Sequence, residues 1–346
     1  MAVAPGRINI IGEHTDYAGG LCLPAAVDRY LAVAAAPADE IAAVSQGHGP
    51  PVAAAADPIR PHGNWADHPL GVLAELARVG VPVSVRLAVA SDLPTGAGLS
   101  SSAALGVATA VAVMELSGHD VDGDRVARLC RRSENRFLGV PSGLMDQVAC
   151  VHGRRGQALL FDALAETVEP IPLPRDLDFL VIESGVRRSL RGSHYRDRPA
   201  EAAEALARAR TKHQGLRSLA DLDIGEVEAL ALPEPLNRRA RHIVTETQRV
   251  RQAVACLGDG DLEALGKLLL ASQLSLARDA EVSLPELDAL VEEAIDAGCL
   301  GARLMGAGFG GSVIAIARSR GVSEISKRLA ASHAVHRVTV VDGAVT

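Results

Sequence analysis

Short apolar or alternating runs recur along this chain and predict strands over 31–36, 83–90, 156–161, 179–183, 313–316 and 336–341. Longer segments at 102–116, 124–137, 200–212, 235–257, 262–276 and 285–297 predict helices, the last ending at Gly298 as a C-cap would. Strands and helices mix along the whole length, so the fold class expected is α+β. A proline-rich passage, Glu169-Pro-Ile-Pro-Leu-Pro174, reads as a hinge between halves. Two lobes are therefore expected, 1–175 and 176–346. No internal repeat and no long disordered tract is expected.

Composition narrows the class. The 346 residues are 48% hydrophobic and 22% charged, enough apolar material for two packed cores in a soluble protein. The net charge of -7 favours neither nucleic acid nor an anionic membrane as a partner. No apolar run reaches the roughly 18 residues a membrane span needs. The longest, Ala103 to Met114, stops at Glu115. The opening residues lack a basic segment followed by an apolar core, so no signal peptide is expected and the location expected is cytoplasmic. Cys22, Cys130, Cys150, Cys256 and Cys299 are scattered, form no metal-type pair and read as reduced thiols.

Four segments carry candidate chemistry. In Leu93-Pro-Thr-Gly-Ala-Gly-Leu-Ser-Ser-Ser-Ala-Ala-Leu105, Gly96 and Gly98 let the backbone curl close to a ligand. Leu99, Ser100, Ser101 and Ser102 follow where a helix begins. Unpaired N–H groups and the positive end of the helix dipole suit a phosphate there. The segment reads either as a polyphosphate cradle or as a Gly/Ser turn capping a buried helix. No Gly-x-x-x-x-Gly-Lys-Ser/Thr is present, so the P-loop class is excluded.

In Gly6-Arg-Ile-Asn-Ile-Ile-Gly-Glu-His-Thr-Asp-Tyr17, Arg7 precedes Glu13, His14 and Asp16 at a strand end. Carboxylates and imidazole so close together suit the hydroxyls of a small polyol, because each makes directional bonds and a missing hydroxyl leaves a buried polar group unpaired. A metal site is the poorer reading, since residues 13 and 14 of an extended strand point to opposite sides. A solvated turn stays open. In Ser133-Glu-Asn-Arg-Phe-Leu-Gly-Val-Pro-Ser-Gly-Leu-Met-Asp-Gln147, Glu134 lies in a helical stretch and Asp146 in an otherwise apolar run. Such a carboxylate is either paired or functional. Gly306-Ala-Gly-Phe-Gly-Gly311 precedes a strand instead of opening a helix, so it is a nucleotide contact or a tight turn, not a dinucleotide fingerprint.

Taken together, Gly-Arg-x-Asn-x-Ile-Gly-Glu-His-Thr-Asp-Tyr (6–17), Pro-x-Gly-Ala-Gly-Leu-Ser-Ser-Ser-Ala (94–103) and Met-Gly-x-Gly-Phe-Gly-Gly (305–311) resemble the three motifs of the GHMP kinases, the first being particular to the galactokinase branch. Gly-x-Met-Asp-Gln (143–147), Gly-Ser-x-Tyr (192–195), Arg-Arg-x-Arg-His-Ile-x-Thr-Glu (238–246) and Ser-x-Pro-Glu-x-Asp (283–288) extend the resemblance over nearly the whole chain.

The resemblance implies an N-terminal lobe like ribosomal protein S5 domain 2, a ferredoxin-like C-terminal lobe and an active site between them. It implies an ATP-dependent sugar kinase acting at C1, with Mg²⁺ as cofactor. Asp146 matches the family's catalytic aspartate and Arg7 the arginine beside it. Ser102 and Glu134 match the residues that hold Mg²⁺ on the triphosphate, with Ser100 and Ser101 in the same cradle. Glu13, His14, Asp16, Gly143 and Tyr195 match the sugar contacts.

The chain departs from the family around Tyr195, where His194 replaces an acid and Arg191 and Arg196 are added. The loop is solvated and basic, or it meets an acceptor with an anionic group far from C1, such as a heptose or octose phosphate. Arginine forks bind such groups well. A non-catalytic sugar sensor on the same scaffold is the third reading. Arg7, Ser100–Ser102, Glu134 and Asp146 are intact, which argues against it. The oligomeric state is not legible in the sequence.

Overall fold

The computed structural model of the chain describes residues 1–47, 49–94, 96–186 and 196–345. In chain order the first half contains β1 (Ala2–Asn9), β2 (Leu21–Cys22), β3 (Pro24–Pro37), β4 (Ile41–Ser45), β5 (Val52–Ala54), α1 (Asp67–Arg78), β6 (Val85–Ser91), α2 (Ser101–Leu116), α3 (Gly123–Arg136), α4 (Met145–His152), β7 (Gln157–Asp162) and β8 (Thr167–Pro172). The second half contains β9 (Leu177–Glu183), α5 (Asp197–Ala209), α6 (Ile224–Leu230), α7 (Leu236–Asp259), α8 (Leu262–Arg278), α9 (Pro285–Asp296), β10 (Gly301–Met305), β11 (Ser312–Arg318), α10 (Val322–Leu329) and β12 (Val335–Val338). The mixture is the α+β class that the apolar patterning predicts.

Among the described residues, three sheets organise these elements: β1-β3-β6-β4-β5, β2-β7-β8 and β10-β11-β9-β12. The last is antiparallel throughout, and its β-α-β-β-α-β order is ferredoxin-like. Helix α2 is the centre of the first half. It is apolar on every side and buried from Ala103 to Met114, as a helix without a polar face must be. Each Val, Leu or Met it hides contributes roughly 1.5–3 kcal/mol. Its core runs on through Val250, Leu265 and Met305, so residues of both halves pack as one body. A second core fills the space between the β9–β11 sheet and α9.

Two expectations need correction. The proline-rich passage at 169–174 is not a hinge: Thr167–Pro172 forms β8, which among the described residues is an edge strand pairing with β7 alone. Pro170 and Pro172 have no N–H to give, which an outer edge tolerates. The strand expected at 336–341 also divides. Val335–Val338 pairs with β9, whereas Val340 bridges to Val27 of β3. The end of the chain thus stitches the first sheet to the third. Helices α1, α4 and α10 carry no strong sequence signal and emerge only in the fold.

Candidate active site

The chain leaves β6, turns back on itself and enters α2. Gly96 and Gly98 take left-handed backbone (φ 87° and 72°), which a side chain would strain. Ser100, the residue before α2, is left-handed too (φ 56°). Strand β1 anchors this bend: Arg7 donates its backbone N–H to the Leu99 carbonyl at 3.1 Å and its Nη1 to the Gly98 carbonyl at 2.5 Å.

Asp146 sits in the first turn of α4, where the helix dipole favours an acid. Its Oδ1 accepts from Arg7 Nε at 2.8 Å and lies 2.8 Å from Arg7 Nη2. Its Oδ2 accepts from Ser100 Oγ at 2.5 Å. Arg7 is buried while Asp146 is 31% exposed, so the acid looks outward with the guanidinium behind it. Burial works against the charge on Arg7, but Asp146 and Glu13 outweigh it and raise the Arg7 pKa.

Beyond β1 the chain turns sharply. His14 is left-handed (φ 58°), so the extended geometry expected at 13–14 is absent. Glu13 Oε2 accepts from Arg303 Nη1 at 2.8 Å and from Asn9 Nδ2 at 3.1 Å. His14 Nδ1 lies 3.1 Å from the Tyr17 hydroxyl. Asp16 Oδ1 accepts from the Tyr17 N–H at 2.9 Å. Burial, then the charge of Asp146, pushes the Asp16 pKa up to about 6. Glu134, near the end of α3, accepts from Ser142 Oγ at 2.6 Å. Burial pushes its pKa up to about 7, with Asp146 and Asp16 adding to the effect.

These groups meet in one cleft of about 210 Å³. Its walls include Arg7, Glu13, His14, Asp16, Gly96, Gly98, Leu99, Ser100, Ser101, Ser102, Glu134, Gly143 and Asp146. Gly306 and Ala307, from the turn joining β10 to β11, close it from the C-terminal sheet. Arg191 and Tyr195 lie outside the described residues. A second cavity of about 840 Å³ adjoins the cleft, shares Asp16, Tyr17, Ser142 and Gly143 with it, and contains Arg131, Arg196 and Arg217.

Residues 67–154 match the GHMP kinases N terminal domain, 253–335 the GHMP kinases C terminal region, and 1–37 the galactokinase galactose-binding signature. A galactokinase of Roseiflexus sp. (strain RS-1) is 40% identical over 337 residues, covering 95% of this chain and 86% of the relative. A galactokinase of Thermotoga maritima is 38% identical, covering 95% and 93%. The chain belongs to the galactokinase branch of the GHMP kinases. The crystal structure of Lactococcus lactis galactokinase complexed with galactose superposes on this GHMP kinase with a TM-score of 0.90 at 32% identity, covering 99% of this chain and 94% of the other. A mevalonate kinase of L. major, at 22% identity and a TM-score of 0.70, shares the fold alone.

One layer of this galactokinase-branch chain escapes sequence reasoning. Behind the cleft, Arg303, His242 and Glu246 are buried and bonded to residues 9–13. His242 and Glu246 fall in the 238–246 motif, which carries the resemblance but gives no hint of what it touches. Arg303 sits in an apolar strand between Ala302 and Leu304, and a charge in such company was the available signal.

Proposed function

We propose that the chain is an ATP-dependent sugar kinase that makes galactose 1-phosphate by direct transfer to the C1 hydroxyl. The observation that carries this reading is the double engagement of Asp146, with Arg7 on one oxygen and Ser100 of the glycine- and serine-rich bend on the other. A triphosphate cradled by Gly96–Ser102 at the start of α2 would end beside Asp146. A sugar gripped by Glu13, His14 and Asp16 would present its hydroxyl to the same acid. Gly143 leaves room for Asp16, and the resemblance implies Tyr195 as a further sugar contact.

The chemistry follows from this placement. Asp146 orients the C1 hydroxyl or takes its proton as the oxygen attacks the γ-phosphorus. The new O–P bond forms as the bond to the bridging oxygen breaks, and ADP leaves. Alignment and charge neutralisation supply most of the rate in such transfers. Arg7 fixes Asp146, and the start of α2 would offer backbone N–H groups to the phosphate oxygens.

Ser102 and Glu134 fit Mg²⁺. Both offer hard oxygen, and Mg²⁺ on a nucleotide typically needs only one or two protein oxygens besides phosphates and water. The buried Glu134, crowded by Asp16 and Asp146, gains from a neighbouring cation. When bound, Mg²⁺ neutralises triphosphate charge. We assign the reaction to the cytoplasm, and the chain to two lobes divided near residue 175.

One observation favours a second reading, a C1 kinase of a sugar carrying an anionic group. The adjoining cavity contains Arg131, Arg196 and Arg217. ADP release measured across aldoses and aldose phosphates tests both readings. Turnover on plain galactose supports the first. Strong preference for a sugar phosphate, lost in Arg217→Ala, supports the second. Sugar binding without any sugar-dependent ADP release contradicts both and would leave a sensor.

A further inference from the structure

We propose that His242, Glu246 and Arg303 are positioning residues for the acceptor sugar, holding the backbone of the 9–13 turn from behind so that Glu13, His14 and Asp16 face the cleft. The inference rests on the sugar-kinase reading above and adds residues that do not touch the cleft.

The contacts are dense. Arg303 donates to the carbonyls of Asn9 and Ile10, the latter at 2.9 Å, and its Nη1 reaches Glu13 Oε2 at 2.8 Å. Glu246 Oε1 accepts the Gly12 N–H at 2.9 Å and Ser272 Oγ at 2.6 Å, while its Oε2 accepts Arg249 Nε at 2.7 Å. His242 lies between the Glu13 carbonyl, 2.9 Å from Nε2, and Ser275 Oγ, 2.9 Å from Nδ1. A carbonyl only accepts, so Nε2 carries the proton and donates. In the neutral ring Nδ1 is left as an acceptor facing Ser275 Oγ, a hydroxyl that also lies 3.2 Å from Asp279 Oδ2.

The three side chains come from α7 and β10, yet four successive anchor points, residues 9, 10, 12 and 13, belong to the N-terminal half. Arg303 and Glu246 are 0% exposed and His242 2%, so water cannot replace these bonds. Burial alone would raise the Glu246 pKa, but Arg249 leads the opposing charges and holds it at about 2. Glu246 therefore stays an acceptor for the Gly12 N–H across the working range of pH. The Arg-Arg-x-Arg-His-Ile-x-Thr-Glu motif at 238–246 gains a physical role: two of its members lock a turn that lies more than 200 residues earlier.

A general stabilising role and a positioning role differ in what they move. Loss of general stability lowers the melting temperature and the active fraction and leaves the KM values alone. Loss of positioning weakens the sugar and spares the nucleotide. His242→Phe removes the donor to Glu13 and leaves that carbonyl unpaired, so the KM for galactose is expected to rise about tenfold or more, with the KM for ATP within about twofold of wild type. His242→Gln, which keeps an N–H donor, is expected to recover most of the loss. If His242→Phe does not fold, Ser272→Ala removes one bond into Glu246 and is expected to raise the galactose KM about threefold with ATP unaffected. Wild-type values of both KM, or equal rises in both, in the folded variants would overturn the proposal. Wild type assayed in parallel separates the two failures: no sugar-dependent ADP release by wild type removes the kinase reading itself, and this inference with it.

Discussion

Asp16 and Gly143 share one space. A Cβ on residue 143 would fall 1.8 Å from Asp16 Oδ2. The three atoms nearest that Cβ all belong to the Asp16 carboxylate and none to backbone, so Gly143→Ala is expected to move the Asp16 carboxylate without unfolding the protein. The expected outcome is a sugar KM raised by about two orders of magnitude, from the lost charge-assisted bonds, with the melting temperature changed by only a few degrees. Steady-state kinetics and a thermal melt on one preparation check this. An unchanged sugar KM would show that Asp16 does not grip the acceptor.

Arg7 makes its contacts as a fork, with Nε and Nη2 on Asp146 and Nη1 on the Gly98 carbonyl. A lysine is a single point charge and cannot span both. Arg7→Lys is expected to lower kcat by roughly 10²–10³, the usual cost of losing one preorganised charge or donor at a reacting centre. The sugar KM is expected to change far less, because Arg7 acts on the acid and the bend. A kcat near wild type would place Arg7 outside the chemistry.

Asp16 and Glu134 make stability depend on pH. Their ordinary values of 3.8 and 4.5 rise to about 6 and about 7 in the fold, chiefly through burial. A carboxyl with a raised folded pKa binds its proton more tightly in the native state. Its contribution is full below the ordinary value and is lost as pH climbs through the folded one. Free of nucleotide and metal, the protein is expected to lose melting temperature between about pH 4 and pH 7. Glu134→Gln, which cannot ionise, is expected to flatten the upper part of that fall. A wild-type curve that rises over this range, or a variant with the same slope, would contradict the assignment.

The bend at 96–102 and Asp146 were legible in the sequence because each breaks a local rule: a cluster of glycine and serine before an apolar helix, and an acid inside an apolar run. The ferredoxin-like half followed from family resemblance, not from the strand patterns alone. The edge strand β8 is not legible, because Pro170 and Pro172 signal a break unless the strand's outer side is known to be unpaired. Helix α4, which supports Asp146, is only eight residues long and too short to show a period. His242, Glu246 and Arg303 were hidden for a different reason. Their partners in the 9–13 turn lie 229 to 294 residues away, and no local pattern encodes such contacts.

The central claim is that Asp146, held by Arg7 and Ser100, meets the acceptor hydroxyl and the phosphate cradle together. The most direct test is sugar-dependent ADP release by Asp146→Asn, with galactose binding followed by calorimetry on the same sample. The account expects turnover to fall by about 10³ or more while galactose still binds, since the sugar grip at Glu13, His14 and Asp16 is untouched. Release of ADP at close to the wild-type rate would contradict it.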